Sequence, residues 1–369
     1  MRTKSLPLLP IVLCIFFLVV IVIVRRYIPE KKHSTPQQNA YSHSVSPSPK
    51  TSFPPTQSLF IPYWASRISK EDKLYDAYYY FGIRPTKEGG IENEAGYQNI
   101  FQVDTIPKQQ KKLVLRMLDS SITETLLTVS SAQKTLISEL RSILAQKAFS
   151  GLILDIEVPF TLQANKRGQI TKFVQLICTA IKTDYKTCGM LLYGDFSYRN
   201  RPYDLAAIGK ITDTILVMAY DFHKAGGEPG PNFPLDRRNP QGEGGFVDYG
   251  YDFKTMIQDV VSLVPKDKIE VVFGMYGYDW TLNEQGTPLK IAKALSLKEI
   301  EIKLQSPSFA KATKGKQISN SKEKNILYVD EEGRRHVIWY EDEESVAIKT
   351  KYLLEQGIRQ VSYWAYGYY

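Results

Sequence analysis

The sequence most plainly lacks metal-ligand and redox spacing. Its 369 residues include only three cysteines and four histidines. Cys14, Cys178 and Cys188 form no CxxC pair, and His33, His43, His223 and His336 form no ligand-spaced pair. That excludes structural zinc and disfavours metal-dependent hydrolysis. Two buried free thiols are expected at Cys178 and Cys188, since free cysteine is commonly buried; a disulfide between them is the alternative outside the cell. No glycine-rich phosphate loop is present, and Tyr63-Trp64-Ala65-Ser66 is not the turn a dinucleotide needs. No cofactor and no metal are expected. The formal net charge is +8, but its lysines and arginines are scattered, with much of the excess near the N-terminus and in a late loop. Nucleic acid is not implied, and plain solubility accounts for the charge.

What is present is ample apolar material, 43% hydrophobic and 12% aromatic, enough for a sizeable core. After a five-residue flank, Leu6–Val24 is almost wholly apolar and uncharged. That approaches the ~20 residues a helix needs to cross the hydrocarbon layer, so residues 6–24 are expected to be a transmembrane anchor. A cleaved signal peptide is the rival, but its apolar core usually runs about 7–15 residues and no small-x-small cleavage site follows. Arg25, Arg26, Lys31 and Lys32 outweigh Arg2 and Lys4, which by the positive-inside rule alone places the bulk of the chain inside. The substrate class that the catalytic motif implies points outward instead, and a membrane-anchored, extracytoplasmic domain is the expectation. Residues 25–58 form a Ser/Pro/Thr-rich linker without apolar periodicity.

From Leu59 onward, short apolar runs alternate with helical patterns. The runs are Leu59–Trp64, Ala77–Ile83, Lys112–Leu118, Gly151–Val158, Gly189–Gly194, Thr214–Asp221, Glu270–Tyr276 and Val361–Tyr366. They are too continuous for strands with one wet face and suit a parallel sheet covered on both sides. Helical segments include Ser131–Gln146, Ile170–Thr183, Phe253–Val264 and Glu343–Gln356. Eight strands in strand-helix alternation predict an α/β fold, a (β/α)8 TIM barrel over residues 59–369. A doubly wound open sheet is the architectural alternative. A small insertion is expected at residues 281–337, between strands 7 and 8, with a solvated loop at Ser306–Lys324. Gly226-Gly227 and Gly242–Gly245 read as mobile loops at the barrel mouth.

The chemistry centres on Phe149-Ser150-Gly151-Leu152-Ile153-Leu154-Asp155-Ile156-Glu157. Side chains alternate along a strand, so Asp155 and Glu157 share the inward face with Gly151 and Ile153. Burying a lone ion there costs several kcal/mol, so two carboxylates on this face ask for a reason. A structural one exists: one acid caps a helix and the other pairs with a cation. Catalysis is the stronger one, because active sites of this fold gather at the C-terminal ends of the strands. Two adjacent carboxyl groups separate their titrations, leaving one protonated near neutral pH, and Glu157, nearer the mouth, is the natural proton donor.

These residues resemble glycoside hydrolase family 18, the chitinases and related endo-N-acetylglucosaminidases. Of its fourth-strand signature DGxDxDxE, Gly151, Asp155 and Glu157 match, whereas Ser150 and Ile153 stand at the first two Asp positions. Met218-Ala219-Tyr220-Asp221 resembles the sixth-strand MxYD. Tyr276-Gly277-Tyr278-Asp279-Trp280 resembles the seventh-strand YGxxW, and Ser362-Tyr363-Trp364 carries the eighth-strand tryptophan. The Trp339–Asp342 run WYED looks most like the bacterial spore-cortex and cell-wall branch.

The resemblance implies a substrate-assisted, retaining hydrolysis of a polymer containing N-acetylhexosamine, peptidoglycan or chitin-like. In it Glu157 is the general acid/base, Asp155 orients the 2-acetamido group and Tyr220 holds its oxygen. Asp221 binds sugar hydroxyls or the acetamido region, Trp364 forms the apolar floor and Tyr276 lines the cleft. Ile153 removes an acid that in chitinases helps Asp155 change partners, which implies slower turnover or a shifted pH profile. A chitinase-like lectin that keeps the cleft without hydrolysis is the main alternative; an envelope scaffold is the other. His223 reads as a solvated loop histidine, and a monomer is expected.

Overall fold

A computed structural model of the chain describes residues 54–65, 68, 75–158, 164–199, 201–240, 246–305 and 320–369. The expected membrane anchor at 6–24, nearly all of the linker, Gly242–Gly245 and most of the Ser306–Lys324 tract lie outside these. Among the described residues, no helix is long and apolar enough to cross a membrane.

The expected barrel is present. Strands β1 (Thr56–Pro62), β2 (Ala77–Ile83), β3 (Lys111–Met117), β4 (Gly151–Ile156), β5 (Thr187–Tyr193) and β6 (Thr214–Ala219) follow one another. A short ribbon of β7 (Arg238–Pro240) and β8 (Phe246–Asp248) precedes β9 (Ile269–Gly274). The sheet closes through the last strand, β14 (Gln360–Trp364), which lies between β9 and β1, and every barrel pairing is parallel. Side-chain parity divides the apolar residues into two clusters, as a closed sheet requires. Phe60, Val114, Ile153, Leu191, Leu216 and Val272 fill the barrel. Leu152, Leu154 and Ile156 pack outward in the cluster that also holds Leu136, Leu140, Ile143 and Leu144 of the helix Ser130–Gln146. Those helical positions recur at the spacing of one helix face.

Several boundaries differ from expectation. β1 begins at Thr56, inside the expected linker, because polar Thr56, Gln57 and Ser58 pair with Gln360, Val361 and Ser362. Composition marks such residues as linker, but sheet closure recruits them. Tyr276–Trp280, expected on the seventh barrel strand, instead opens β10 (Tyr276–Leu282) in a separate sheet. That sheet has the order β11 (Lys293–Ser296), β10, β13 (Arg335–Tyr340), β12 (Lys324–Val329), all antiparallel. It buries both faces, with Trp280, Val337 and Trp339 on one and Leu295, Ile326 and Ile338 on the other.

The WYED run joins this sheet to the last helix. Trp339 and Tyr340 end β13. Asp342 caps the helix Glu343–Gln356, accepting from Ser345 N at 3.0 Å in a capping box. Glu341 is fully buried against Lys349. Cys178 and Cys188 form a disulfide, not the two free thiols expected: the helix Ala164–Lys182 packs on β5 and brings Cα atoms ten residues apart to 5.3 Å.

Candidate active site

The fourth strand delivers its acids to the barrel mouth by parity and by a missing side chain. A Cβ on Gly151 would lie 2.2 Å from Thr187 Oγ1 and 2.8 Å from the Thr187 carbonyl oxygen. Glycine therefore lets β4 and β5 approach at the base of the strand. Asp155 is the next-to-last residue of β4 and is fully buried. Glu157, expected within the strand, lies one residue beyond it; its N–H still bonds the Met117 carbonyl at 3.1 Å. The strand end is held further by Tyr203, whose hydroxyl donates to the Ile156 carbonyl at 2.7 Å.

Neither carboxylate oxygen of Asp155 has a hydrogen-bond partner of good geometry. Burial raises its pKa well above the usual carboxylate range, the adjacent Glu157 adds to the rise and Arg116 opposes it. Glu157 is also raised, first by burial; the Tyr193 hydroxyl and Asp155 draw it back, Asp221 pushes it up and Lys224 lowers it. The pair is thus biased towards sharing a proton, which is what a general acid requires.

The sixth strand supplies the next two residues. Tyr220 follows β6, and a Cβ on Gly274 would come within 2.7 Å of Tyr220 Cβ, so glycine at the end of β9 makes room for the ring. Burial raises the Tyr220 hydroxyl pKa and the charges of Glu157 and Asp155 raise it further, so it stays a proton donor. Asp221 adopts a left-handed backbone with φ 57°. Its N–H donates to Asn232 Oδ1 at 2.7 Å, and its carboxylate accepts from Tyr276 and, at 2.7 Å, from Tyr278. Asn232 in turn donates to the Gly274 carbonyl at 3.2 Å.

Trp364 closes the ring of residues as the last residue of β14. It packs edge-on to Phe81 at 4.6 Å, near-parallel to Tyr220 at 6.4 Å and beside the exposed Trp64 at 6.1 Å. The result is an aromatic cluster that meets the carboxyl pair through Tyr220. Among the six residues expected at the site, Asp155, Glu157, Tyr220, Asp221, Tyr276 and Trp364, charge, hydrogen bonds or ring contacts link each to at least one other. Tyr276 arrives from β10, outside the barrel.

Sequence reasoning missed Arg116, Tyr193, Tyr278, Asn232 and Lys224. Arg116 had a legible signal, a charged residue on the inward parity of an apolar strand. Asn232 and Lys224 lie in loops and had none. His223, expected to be solvated, is half-buried: its Nδ1 lies 2.7 Å from the Pro231 carbonyl, and burial lowers its pKa. The loop folds back on itself and takes the ring with it. A separate surface cavity lined by Asp279, Lys303, Tyr328, Asp330 and His336 belongs to the antiparallel sheet and includes none of the six site residues. Among the described residues no group of His, Cys, Asp or Glu could hold a metal ion.

An eight-stranded parallel barrel with paired carboxyl groups at its C-terminal mouth and aromatic rings beside them is the form a glycosidase takes. The sequence profile of glycosyl hydrolases family 18 matches residues 55–368. The chain belongs to that family of glycosidases. It is 25% identical over 259 residues to the putative sporulation-specific glycosylase YdhD of Bacillus subtilis, covering 66% of this chain and 53% of that one. It is 22% identical over 299 residues to a cortical fragment-lytic enzyme of Bacillus anthracis, covering 78% and 64% respectively. The chain thus spans between half and two thirds of the length of these curated relatives. Among solved structures, the spore cortex-lytic enzyme SleL of Bacillus megaterium superposes with a TM-score of 0.69 at 20% identity, over 88% of this chain and 73% of that one. An Ostrinia furnacalis Group IV chitinase bound to allosamidin also gives 0.69, at 15% identity, over 84% and 92%. At such identities the superpositions establish the fold.

Proposed function

We propose that this chain hydrolyses a β-linked N-acetylhexosamine polymer by a substrate-assisted, retaining route, with Glu157 as general acid and then general base. The observation that carries this is the pair of buried Asp155 and half-buried Glu157 at the mouth, with Tyr220 alongside and stacked in turn near Trp364. The common glycosidase scheme of one carboxyl group as acid and another as nucleophile does not describe this family, whose sugar supplies its own nucleophile. The 2-acetamido oxygen attacks the anomeric carbon while the bond to the glycosidic oxygen breaks, and Glu157 delivers its proton to the departing oxygen. Asp155 stabilises the positive charge that develops on the acetamido group, and Tyr220 holds the carbonyl oxygen for attack. Water then opens the oxazolinium ion, giving its proton back to Glu157, and the anomeric configuration is retained. Asp221 binds sugar hydroxyls, Trp364 lies beneath the ring and Tyr276 lines the cleft.

Peptidoglycan is the favoured substrate, because several relatives are named as cortical fragment-lytic or sporulation-specific enzymes. An extracytoplasmic site fits that substrate and the Cys178–Cys188 disulfide, and the apolar segment at 6–24 would tether the domain to the membrane. The apolar Ile153 beneath Asp155 favours a second reading, a slow hydrolase or lectin.

The test is release of reducing ends from peptidoglycan and from chitooligosaccharides by the wild type and by Glu157→Gln. Product that disappears in the variant supports the proposal, and the better substrate identifies the polymer. Sugar binding without product from either protein makes it a lectin.

A further inference from the structure

Arg116 stands beside Asp155, and the proposed hydrolysis gives it no task. β3 and β4 pair with Arg116 opposite Asp155. Arg116 shares the inward parity of Val114, so both charged side chains enter the barrel at one level. The arginine is 7% exposed. Its guanidinium lies 4.8 Å from the centre of the Tyr63 ring and 4.9 Å from that of Phe81. Nη1 lies 3.4 Å from both the Gly82 carbonyl and Glu94 Oε1. Glu94 also faces Arg84 at 3.6 Å, so its charge is shared. Nε has no hydrogen-bond partner. Arg116 is therefore a cation fixed in place by two rings and a carbonyl, with part of its donor capacity unused.

Asp155 has the complementary deficiency. Both its oxygens are buried without a well-formed hydrogen bond. Two residues below it Ile153 pairs with Val114, and on the β5 side its register partner is Leu191, all apolar and inward-facing. Beside it on the same chain segment stands Glu157, whose charge opposes its own, and Tyr203 and Tyr220 face it from the neighbouring segments. The cation acting on it is Arg116.

Resting on the hydrolytic reading, we infer that Arg116 is the positioning residue for Asp155. From the adjacent strand it supplies a positive charge at the level of Asp155, where Ile153 supplies none. Its charge favours the ionised form of Asp155 against the push of burial and Glu157, with no hydrogen bond between the two. Burial and Glu157 push the Asp155 carboxyl upward and Arg116 draws it down, so loss of the cation moves the titration of Asp155 to higher pH. A site that needs ionised Asp155 then fails at a higher pH on its acid side.

The experiment compares the full chain with Arg116→Met and Arg116→Lys. It measures kcat and KM against pH, melting temperature, and Asp155 titration by carbon NMR of labelled aspartate carboxyls, assigned with Asp155→Asn. In Arg116→Met, kcat is expected to fall about tenfold or more with KM changed less than about threefold, the pattern of a lost transition-state interaction. The acid limb and the Asp155 titration both move to higher pH. Arg116→Lys keeps the charge and restores the limb. An unmoved acid limb and unmoved Asp155 titration in Arg116→Met overturn the assignment, whatever happens to kcat or melting temperature. Absence of hydrolysis by the wild type defeats the proposed reaction, whereas the Asp155 titration still decides the role of Arg116.

Discussion

The barrel carries buried carboxyl groups at both of its ends. At the closed N-terminal end, Glu270 is 2% exposed and its pKa is raised by burial, with Lys112 and the Tyr79 hydroxyl opposing. Tyr79 donates to Glu270 Oε2 at 2.8 Å and lies 3.0 Å from Ser58 Oγ. At the open end, Asp155 is as deeply buried and raised by the same cause, yet no well-formed hydrogen bond reaches it and a second acid stands beside it. A perturbed pKa therefore does not separate catalysis from structure here. Position does: strand ends at the C-terminal mouth meet substrate, whereas the N-terminal end is sealed by side chains.

The largest expected effect tests that contrast directly. Glu157→Gln should lose hydrolysis by about a thousandfold, within the range general acid–base groups contribute, while Glu270→Gln stays within about threefold of the wild type. Reducing-end assays on the pair decide it, and equal losses would erase the distinction between the two ends.

A third buried cluster tests whether the site depends on remote charges. Lys349 donates to Glu323 at 2.8 Å and to Glu341, all three fully buried. Glu323 in turn accepts from the N–H groups of Asn232 and, at 2.8 Å, Phe233, and Asn232 holds Asp221. Lys349→Met leaves two carboxyl groups without their cation and should cost about 3–5 kcal/mol in chemical denaturation, the usual penalty for breaking a buried pair. A loss below about 1 kcal/mol would show that the cluster is relaxed or hydrated.

Tyr220→Phe removes one hydroxyl and keeps the ring. It should lower kcat about ten- to a hundredfold, as loss of one preorganised donor does, with the melting temperature nearly unchanged. An unaltered kcat would remove Tyr220 from the acetamido role.

The smallest effect concerns pH and stability. Burial raises Glu341 in the folded chain from 4.5 to about 8, with Lys349 opposing. Between those values the folded state binds more protons than the unfolded state, so this group's contribution to stability falls as pH rises from about 4.5 to 8. Glu341→Gln should flatten that slope in denaturation curves taken across the window. An unchanged slope would show that the dependence comes from elsewhere, with Glu157 and Asp155 the first groups to examine.

Much of this architecture is legible in the chain. Alternating apolar runs announce the barrel, and the parity of Asp155 and Glu157 sets them inward on sequence alone. Trp364 falls on the last barrel strand as expected, and ends it. The errors share one physical cause, dependence on partners far along the chain. Tyr276–Trp280 looks like strand continuation, but Gly277–Trp280 pairs with Val337–Tyr340 and Tyr276 with Ser296, outside the barrel. Cys178 and Cys188 look like separate core thiols until a helix folds onto its strand. Lys349 meets Phe233 across 116 residues, and no local pattern marks that contact.

Local rules therefore suffice for most element types and for the inward face of β4, because period and side-chain chemistry are properties of a few consecutive residues. Pairing between distant segments decided the rest. It recruited Thr56–Ser58 into a strand, placed Arg116 opposite Asp155 and brought Tyr276 and Tyr278 onto Asp221. Those relations depend on strand register and on a sheet outside the barrel, and register exists only once distant segments have paired.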